Sequence, residues 1–172
     1  MNVKFLNPFI EAASEVLQAE CNVKIEKGAV VLQKSAMTAN DITVLISMVG
    51  QIQGVVLYEL SAQTGLALIS RSVGQDFTEL NSLAESGIAE LGNVITGRAT
   101  IKLSNAGFSA DISPPTVIRG KGITISTLDF ARLVVPLMTE AGDICVHLAL
   151  RESPPGMSTQ NFVPVSIPSS SH

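Results

Sequence analysis

Residues 42–60 constrain the fold more than any other stretch, because they are apolar and carry no charge until Glu59. The stretch is long enough to suggest a membrane span, but Gly50, Gln51 and Gly54 interrupt it. Its β-branched residues fall in two runs on either side of this break, which is typical of two buried strands joined by a turn. We therefore predict a β-hairpin, and we expect no membrane association.

Length and composition favour a single globular domain. The chain has 172 residues, of which 46% are hydrophobic and 15% are charged, so it can bury one sizeable core. Its formal net charge is −4, and its 11 lysines and arginines are scattered along the chain. A surface that binds phosphate backbones needs such residues in clusters. We expect no nucleic-acid partner.

The two cysteines and two histidines form no recognisable metal or nucleophile motif. Cys21 stands alone, whereas Cys145 lies two residues before His147 in a predicted strand, which places both on one face of a sheet. A zinc site needs three or four ligands at short spacing, so we predict no metal site and regard this pair as sheet residues. Reduced cysteines, and a first segment without signal-peptide character, favour a cytoplasmic protein.

Helices and short strands alternate along the chain. Helices are predicted at residues 8–21, 61–74 and 80–103 from their caps and apolar spacing. Strands are predicted at 23–26, 29–34, 42–49, 52–60, 108–112, 117–118, 123–127, 131–138 and 143–150. Connections of hairpin length imply an α+β fold with a mostly antiparallel β-sheet and helices packed on one face. We expect the domain to span residues 1–152, followed by a Pro- and Ser-rich tail at 153–172 that is poorly ordered or extended.

The third helix carries a polar stripe opposite an apolar one. At about 100° per residue, a stripe roughly 60° wide contains Ser86, Glu90, Asn93 and Gly97. The far side is apolar and must face a core, so the stripe faces outward. Asn and Gly inside a helix each cost about 0.5–1 kcal/mol relative to Ala. Either close helix packing or a functional surface explains their presence here.

The same helix resembles the signature of the CheC/CheX family of bacterial chemotaxis phosphatases. The motif consists of Ser86, Glu90 and Asn93, followed by Pro115. The runs 86–93 and 50–54 are similar to CheX-like members in particular, and the resemblance covers about residues 5–152. It implies a CheC-like fold, a homodimer whose sheets join edge to edge, and a CheY-like response regulator of a two-component pathway as partner. Relatives with this fold also serve as non-catalytic parts of the flagellar switch, and the Glu-x-x-Asn pair, intact here, separates the two groups.

The resemblance implies hydrolysis of the regulator's phosphoaspartate, with Asn93 orienting the attacking water. A carboxamide suits this role because it accepts a hydrogen bond from water and donates one towards a phosphoryl oxygen. Glu90 is expected to pair with a lysine of the phosphorylated regulator, which is also expected to supply Mg²⁺, so we expect no cofactor of the chain's own. Ser86 and Gly97 are candidate partner-binding residues, the latter because a missing side chain lets a partner approach. Pro115 is expected to shape the backbone near the site.

Two other functions stay open, a non-catalytic module that binds a response regulator or the flagellar switch, and a small-molecule-binding domain. The latter would need an apolar pocket with convergent polar groups. A weak echo of the motif lies in the first helix at Asn7, Glu11 and Ser14. Because Ser14 replaces the final asparagine, we expect a single working site and regard Glu11 as a solvated helix residue.

Two segments are expected to form the edges of the sheet, residues 23–32 and 131–150. Both carry few of the lysines and prolines that usually protect an edge strand from pairing with another chain. The exposed edges would suit a homodimer, whereas a monomer would need the tail to cover them.

Overall fold

The computed structural model describes residues 3–34, 36–127 and 131–155. Within these ranges, a short 3-10 helix (Val3–Phe5) leads into the first of the α-helices α1 (Leu6–Cys21), α2 (Ala62–Val73) and α3 (Ser82–Asn105). The strands, in chain order, are β1 (Glu26–Lys27), β2 (Val31–Gln33), β3 (Met37–Thr38), β4 (Ile42–Gly50), β5 (Ile52–Leu60), β6 (Ala110–Ile112), β7 (Thr116–Arg119), β8 (Thr124–Ile125), β9 (Arg132–Thr139) and β10 (Gly142–Glu152).

Eight of these strands form one antiparallel sheet. Their spatial order is β1, β9, β10, β5, β4, β6, with β2 also paired to β9 and β7 also paired to β4. The helices cover one face of this sheet, and the apolar sides of helices and strands meet in a single main core. The predicted α+β class, with a mostly antiparallel sheet and helices on one face, is confirmed.

The hairpin predicted at residues 42–60 is present as β4 and β5, which pair from Ile42 with Leu60 to Met48 with Gly54. Gly54 has a φ of 139°, and a Cβ there would lie 1.9 Å from the carbonyl oxygen of Ala149 in the neighbouring strand. Only glycine tolerates both the positive φ and this close approach. Among the described residues, no helix combines the length and apolar character needed to cross a membrane.

Helix boundaries follow the predicted caps closely in α2 and less closely elsewhere. The Ser61 Oγ accepts a hydrogen bond from the Thr64 N–H at 3.1 Å, and Gly74 ends α2 in the left-handed conformation, as predicted. Helix α1 begins at Leu6 rather than Pro8, because a proline within the first turn has no intrahelical acceptor to lose. Helix α3 begins at Ser82 rather than Leu80, because the Asn81 side chain caps it.

A two-stranded ribbon that the sequence did not predict lies against the other face of the sheet. It pairs β3 with β8, and its apolar residues pack on the sheet in a second, smaller core. This core contains Met37, Ala39, Leu57 and Ile125.

The expected edge at residues 131–150 is wrong. Strand β10 lies between β9 and β5, and β9 is itself flanked by β1 and β2, so both strands are interior. The expected edge at residues 23–32 is confirmed, because β1 and β2 form one edge of the sheet, and the other edge is formed by β6 with β7. Strand β10 ends at Glu152, and residues 156–172 of the predicted tail lie outside the described residues.

Candidate functional site

Helix α3 presents the predicted stripe outward. Ser86 and Glu90 are exposed, and Asn93 and Gly97 are half-buried. The opposite side of the helix is buried against the sheet, with Ala84, Ile88, Leu91 and Ile95 in the main core. The predicted division of this helix into an inner and an outer face is therefore confirmed, although the roles of the outer residues stay predictions.

Glu90 and Asn93 lie side by side on this outer face. The Asn93 Nδ2 donates to the Glu90 Oε2 at 3.5 Å, in an exposed position. A hydrogen bond at the outer limit of distance between exposed groups is weak, because water competes for both atoms. The carboxamide and the carboxylate can therefore turn to groups on a partner at little cost.

The three glycines of α3 have different surroundings. A Cβ at Gly87 would lie 2.2 Å from the Ile69 Cδ1 of α2, and a Cβ at Gly92 would lie 3.2 Å from both Tyr58 and Val44 of the sheet. These two glycines allow close packing. A Cβ at Gly97 would meet nothing within 4 Å, so packing among the described residues does not explain Gly97.

A buried hydrogen-bond chain fixes α3 to the sheet next to Asn93. The Tyr58 hydroxyl and the Thr96 Oγ1 are 2.8 Å apart, and the Thr96 Oγ1 donates to the Gly92 carbonyl at 2.8 Å. The Tyr58 hydroxyl therefore donates to the Thr96 Oγ1, since the hydroxyl proton of Thr96 already bonds to the Gly92 carbonyl. Burial raises the pKa of Tyr58 well above its usual range, which keeps the donor protonated. This anchor was not predicted, and its signal in the sequence is the single tyrosine of the chain within a predicted buried strand.

Pro115 lies between β6 and β7, which together run along β4 as one interrupted edge strand. Ser113 bridges the interruption: its N–H donates to the Ser47 carbonyl and its Oγ accepts from the Ser47 N–H, both at 2.9 Å. Strand β7 runs beside α3, where the Arg119 Nη1 is 2.9 Å from the Glu85 Oε1. Pro115 thus lies in the connection directly before β7 rather than on the outer stripe.

The echo of the motif in α1 is engaged in ion pairs with α3. The Lys102 Nζ is 2.7 Å from the Glu15 Oε1 and 3.4 Å from the Glu11 Oε2, and the Arg98 Nη1 is 3.0 Å from the Glu15 Oε2. These cations lower the pKa of Glu15, chiefly through the hydrogen bond from Lys102. Glu11 is a solvated helix residue as predicted, with 63% of its side chain exposed. The nearby cations on α3 therefore face α1 carboxylates.

A second polar cluster lies on the face of the sheet away from the helices. Donor atoms of Glu59, Cys145 and His147 lie within 4.8 Å of one another, and the His147 Nε2 is 3.0 Å from the Glu59 Oε2. Cys145 and His147 share a face as predicted, whereas Glu59 was not predicted to join them. These three residues have the side chains of a transition-metal site.

The buried Arg132 beside this cluster disfavours a cation. Its Nε donates to the His147 Nδ1 at 3.3 Å, so the imidazole proton lies on Nε2 and is donated to Glu59. Burial, followed by the nearby Glu59, raises the pKa of the Cys145 thiol to about 11. Together with Arg132, the cluster joins strands β5, β9 and β10, and we regard it as structural.

A small cavity lies between α3 and the sheet. Its volume is about 20 Å³, and ligand pockets are usually about 300–1,000 Å³. It is lined almost entirely by apolar side chains, including Leu91 and Ile144. This cavity does not support the small-molecule-binding alternative.

Comparisons with known proteins agree on one family. The family model for the chemotaxis phosphatase CheX matches residues 42–138. The CheY-P phosphatase CheX of Thermotoga maritima is 27% identical over 153 residues, which cover 88% of this chain and 98% of that protein. A CheC-like superfamily protein from Shewanella sp. PV-4 has a TM-score of 0.80 at 27% identity, covering 88% of this chain and 99% of the other. The CheX–CheY–BeF3–Mg²⁺ complex from Borrelia burgdorferi has a TM-score of 0.72 at 26% identity, covering 88% and 100%.

Proposed function

The chain belongs to the chemotaxis phosphatase CheX family, and from this membership we propose that it hydrolyses the phosphoaspartate of a CheY-like response regulator. The observation that carries the proposal is the Glu90/Asn93 pair, which lies outward on α3 with only a weak contact between the two side chains. The similar protein from T. maritima is a CheY-P phosphatase, and the similar B. burgdorferi protein was solved in a complex with CheY. We also propose a cytoplasmic location.

We assign the orientation of the attacking water to Asn93. Phosphoryl transfer passes through a loose transition state, so positioning of the water is the main contribution that a helper protein can make. The carboxamide oxygen accepts a hydrogen bond from the water while the nitrogen donates to a phosphoryl oxygen. A carboxylate in this place would repel the phosphoryl charge.

The reaction needs no covalent intermediate on this chain. The water oxygen bonds to phosphorus, the bond between phosphorus and the aspartate oxygen breaks, and the aspartate leaves as a carboxylate with release of inorganic phosphate. We propose that the regulator supplies the Mg²⁺ and the lysine that neutralise the phosphoryl charge. Glu90 pairs with that lysine and holds the two proteins in register.

Ser86 and Gly97 complete the proposed contact surface. Ser86 lies one turn before Glu90 and is exposed, so its hydroxyl can bond to a partner. Gly97 leaves open space above the helix, which lets a partner backbone approach closely. Pro115 lies away from this surface. It restricts the backbone of the connection between β6 and β7, and β7 runs beside α3.

Release of phosphate under multiple turnover tests the proposal. The chain, at one tenth of the concentration of a phosphorylated CheY-like receiver, should release more inorganic phosphate than one equivalent of itself and shorten the lifetime of the phosphoaspartate. A non-catalytic binding module of the same fold would protect the phosphoaspartate or leave its lifetime unchanged. Either of these results, obtained with a receiver that binds, would contradict the phosphatase assignment.

A further inference from the structure

Two large apolar side chains border the outer stripe of α3, one near each end of the helix. Leu83 is 65% exposed and Ile101 is 63% exposed. They are about five full turns apart, so they point in nearly the same direction from the helix axis. Glu90 lies about 20° from that direction, Gly97 about 40° and Asn93 about 80°. Along the helix axis, the Glu90/Asn93 pair lies midway between the two exposed apolar residues.

Single exposed apolar residues are common and need no explanation. Packing among the described residues does not bury these two, whereas most other apolar residues of α3 lie in the main core. A helix of this amphipathic pattern gains stability from apolar residues on the inner face and none from apolar residues on the outer face. Their shared direction, next to the stripe that carries the candidate active residues, sets them apart from the exposed Val73 at the end of α2.

Charge and size both fit a folded partner along this stripe. Arg98 and Lys102 of α3 are paired with Glu15, so Glu90 is the charge that the middle of the stripe offers to a partner. The distance from Leu83 to Ile101 is about 27 Å along the helix, which is close to the diameter of a small domain. One receiver domain can contact both ends while its active site lies over Glu90 and Asn93.

We propose that Leu83 and Ile101 are the docking contacts that position the phosphorylated receiver domain on α3. The inference rests on the proposed function and adds two residues that the family motif does not contain. Apolar contacts made equally in the ground state and in the transition state strengthen binding rather than the chemical step. Leu83 and Ile101 are therefore positioning residues, and Asn93 is the catalytic one.

The test uses the full chain with Leu83→Gln, Ile101→Gln and the matched control Val73→Gln. Glutamine is a good helix former, so these exposed changes leave the fold intact. Affinity is measured by calorimetry against a CheY-like receiver activated with BeF3⁻ and Mg²⁺, and KM and kcat are measured by phosphate release. Each docking variant should raise Kd and KM about tenfold, with a smaller change in kcat, while Val73→Gln should behave like the wild type.

Four results would overturn the inference. If both docking variants keep the wild-type Kd and KM while the wild-type chain is an active phosphatase, the inference fails and the proposed function stands. The same holds if the variants lower kcat alone. It also holds if the variants change the mass of the free protein in light scattering, because a second copy of this chain would then occupy this surface. If the wild-type chain neither binds nor dephosphorylates the receiver, the proposed function fails as well.

Discussion

Gly97 is the glycine of α3 whose presence packing does not explain. Gly87 and Gly92 approach Ile69 and Tyr58 so closely that a Cβ needs those neighbours to move, whereas Gly97 has open space around it. Glycine inside a helix costs about 1 kcal/mol relative to alanine. Packing among the described residues does not offset this cost at Gly97, and we propose contact with a partner as the reason for the glycine.

Gly97→Ala should raise the free energy of unfolding by about 1 kcal/mol, because alanine favours the helix and meets no neighbour. The same methyl group should weaken binding of the activated receiver, because it occupies space that the partner backbone needs. Thermal unfolding and calorimetry on one preparation measure both effects. Gly87→Ala is the matched comparison and should lower stability instead. A variant that is more stable and binds normally would remove Gly97 from the interface.

The two thiols should react slowly in the native protein. Burial raises the pKa of Cys21 and of Cys145 to about 11, and a raised pKa leaves the thiol neutral at pH 8. Only the thiolate reacts with iodoacetamide, so alkylation at pH 8 should be about 100-fold slower than for a thiol of ordinary pKa. Mass spectrometry of the alkylated peptides, with and without urea, measures the difference. Equal rates in both conditions would contradict the buried, protonated state.

The sequence predicts the outer stripe of α3 well because helical periodicity is a local property. The outward positions of Glu90 and Asn93 follow from spacing alone, whereas their proposed roles come from the resemblance to the CheC/CheX family. Leu83 and Ile101 satisfy the same spacing, but sorting residues by polarity assigns large apolar side chains to the core, whereas the structure exposes both. Tyr58 could not be assigned to the site from sequence, because its contact with Thr96 depends on how α3 lies across β5.

Among the elements, α3 is held in place by the chain from Tyr58 through Thr96 to the Gly92 carbonyl. The turn from residue 92 to residue 96 contains Asn93, so this anchor fixes the turn that presents the carboxamide. A helix that is fixed by buried hydrogen bonds positions the side chains of a site more accurately than a loop does.

Tyr58→Phe should lower the free energy of unfolding by about 1 kcal/mol, since one buried hydrogen bond is lost while the ring stays in place. Thr96→Val should cost more, because it leaves the buried Tyr58 hydroxyl without its partner. The double variant should lose less free energy of unfolding than the two single variants lose together, because the two groups interact. Urea unfolding of the four proteins measures this coupling. Additive effects would mean that the hydroxyl of Tyr58 does not anchor α3.

The elements themselves were predicted where local signals exist and missed where they do not. Ser61 and Gly74 mark the ends of α2 because caps are local chemistry. Strand β8 lies within the strand predicted at residues 123–127, whereas β3 was not predicted, because its two residues are too few for an alternating pattern to be recognised. Their pairing joins segments far apart in the sequence, and only the folded structure shows it.

For the whole molecule, the two edges of the sheet differ in how they are protected. Pro114 and Pro115 interrupt the edge formed by β6 and β7, and prolines discourage pairing with another strand. The edge that includes β2 exposes Val31 and Leu32, which are 49% and 54% accessible. We propose that a homodimer forms through this β2 edge, so that the helices stay free for two regulators.

The mass of the chain in solution tests the proposed homodimer. Light scattering at micromolar concentration should give twice the 18.1 kDa chain mass. Leu32→Lys should shift the mass towards the monomer because a charge on the edge strand opposes pairing, whereas Thr116→Lys on β7 should not. Deletion of residues 153–172 should leave the dimer intact. A wild-type mass near 18.1 kDa that does not change on this deletion would exclude an obligate dimer.

The edge prediction shows why overall assembly is harder to infer than the elements. Residues 131–150 have the composition of an unprotected edge, yet β1 and β2 return from the other end of the chain and cover β9. Which strand lies outermost depends on pairing between distant segments, and composition does not determine it.

We propose that Asn93 orients the attacking water on a bound phosphorylated receiver, and the most direct test is single-turnover decay of the phosphoaspartate. A phosphorylated CheY-like receiver is saturated with wild-type chain or with Asn93→Ala, so that differences in affinity do not contribute. Decay should be about 100-fold slower with Asn93→Ala, the scale of losing one positioning group, at an unchanged melting temperature. Equal decay rates with the two saturating proteins would contradict the assignment.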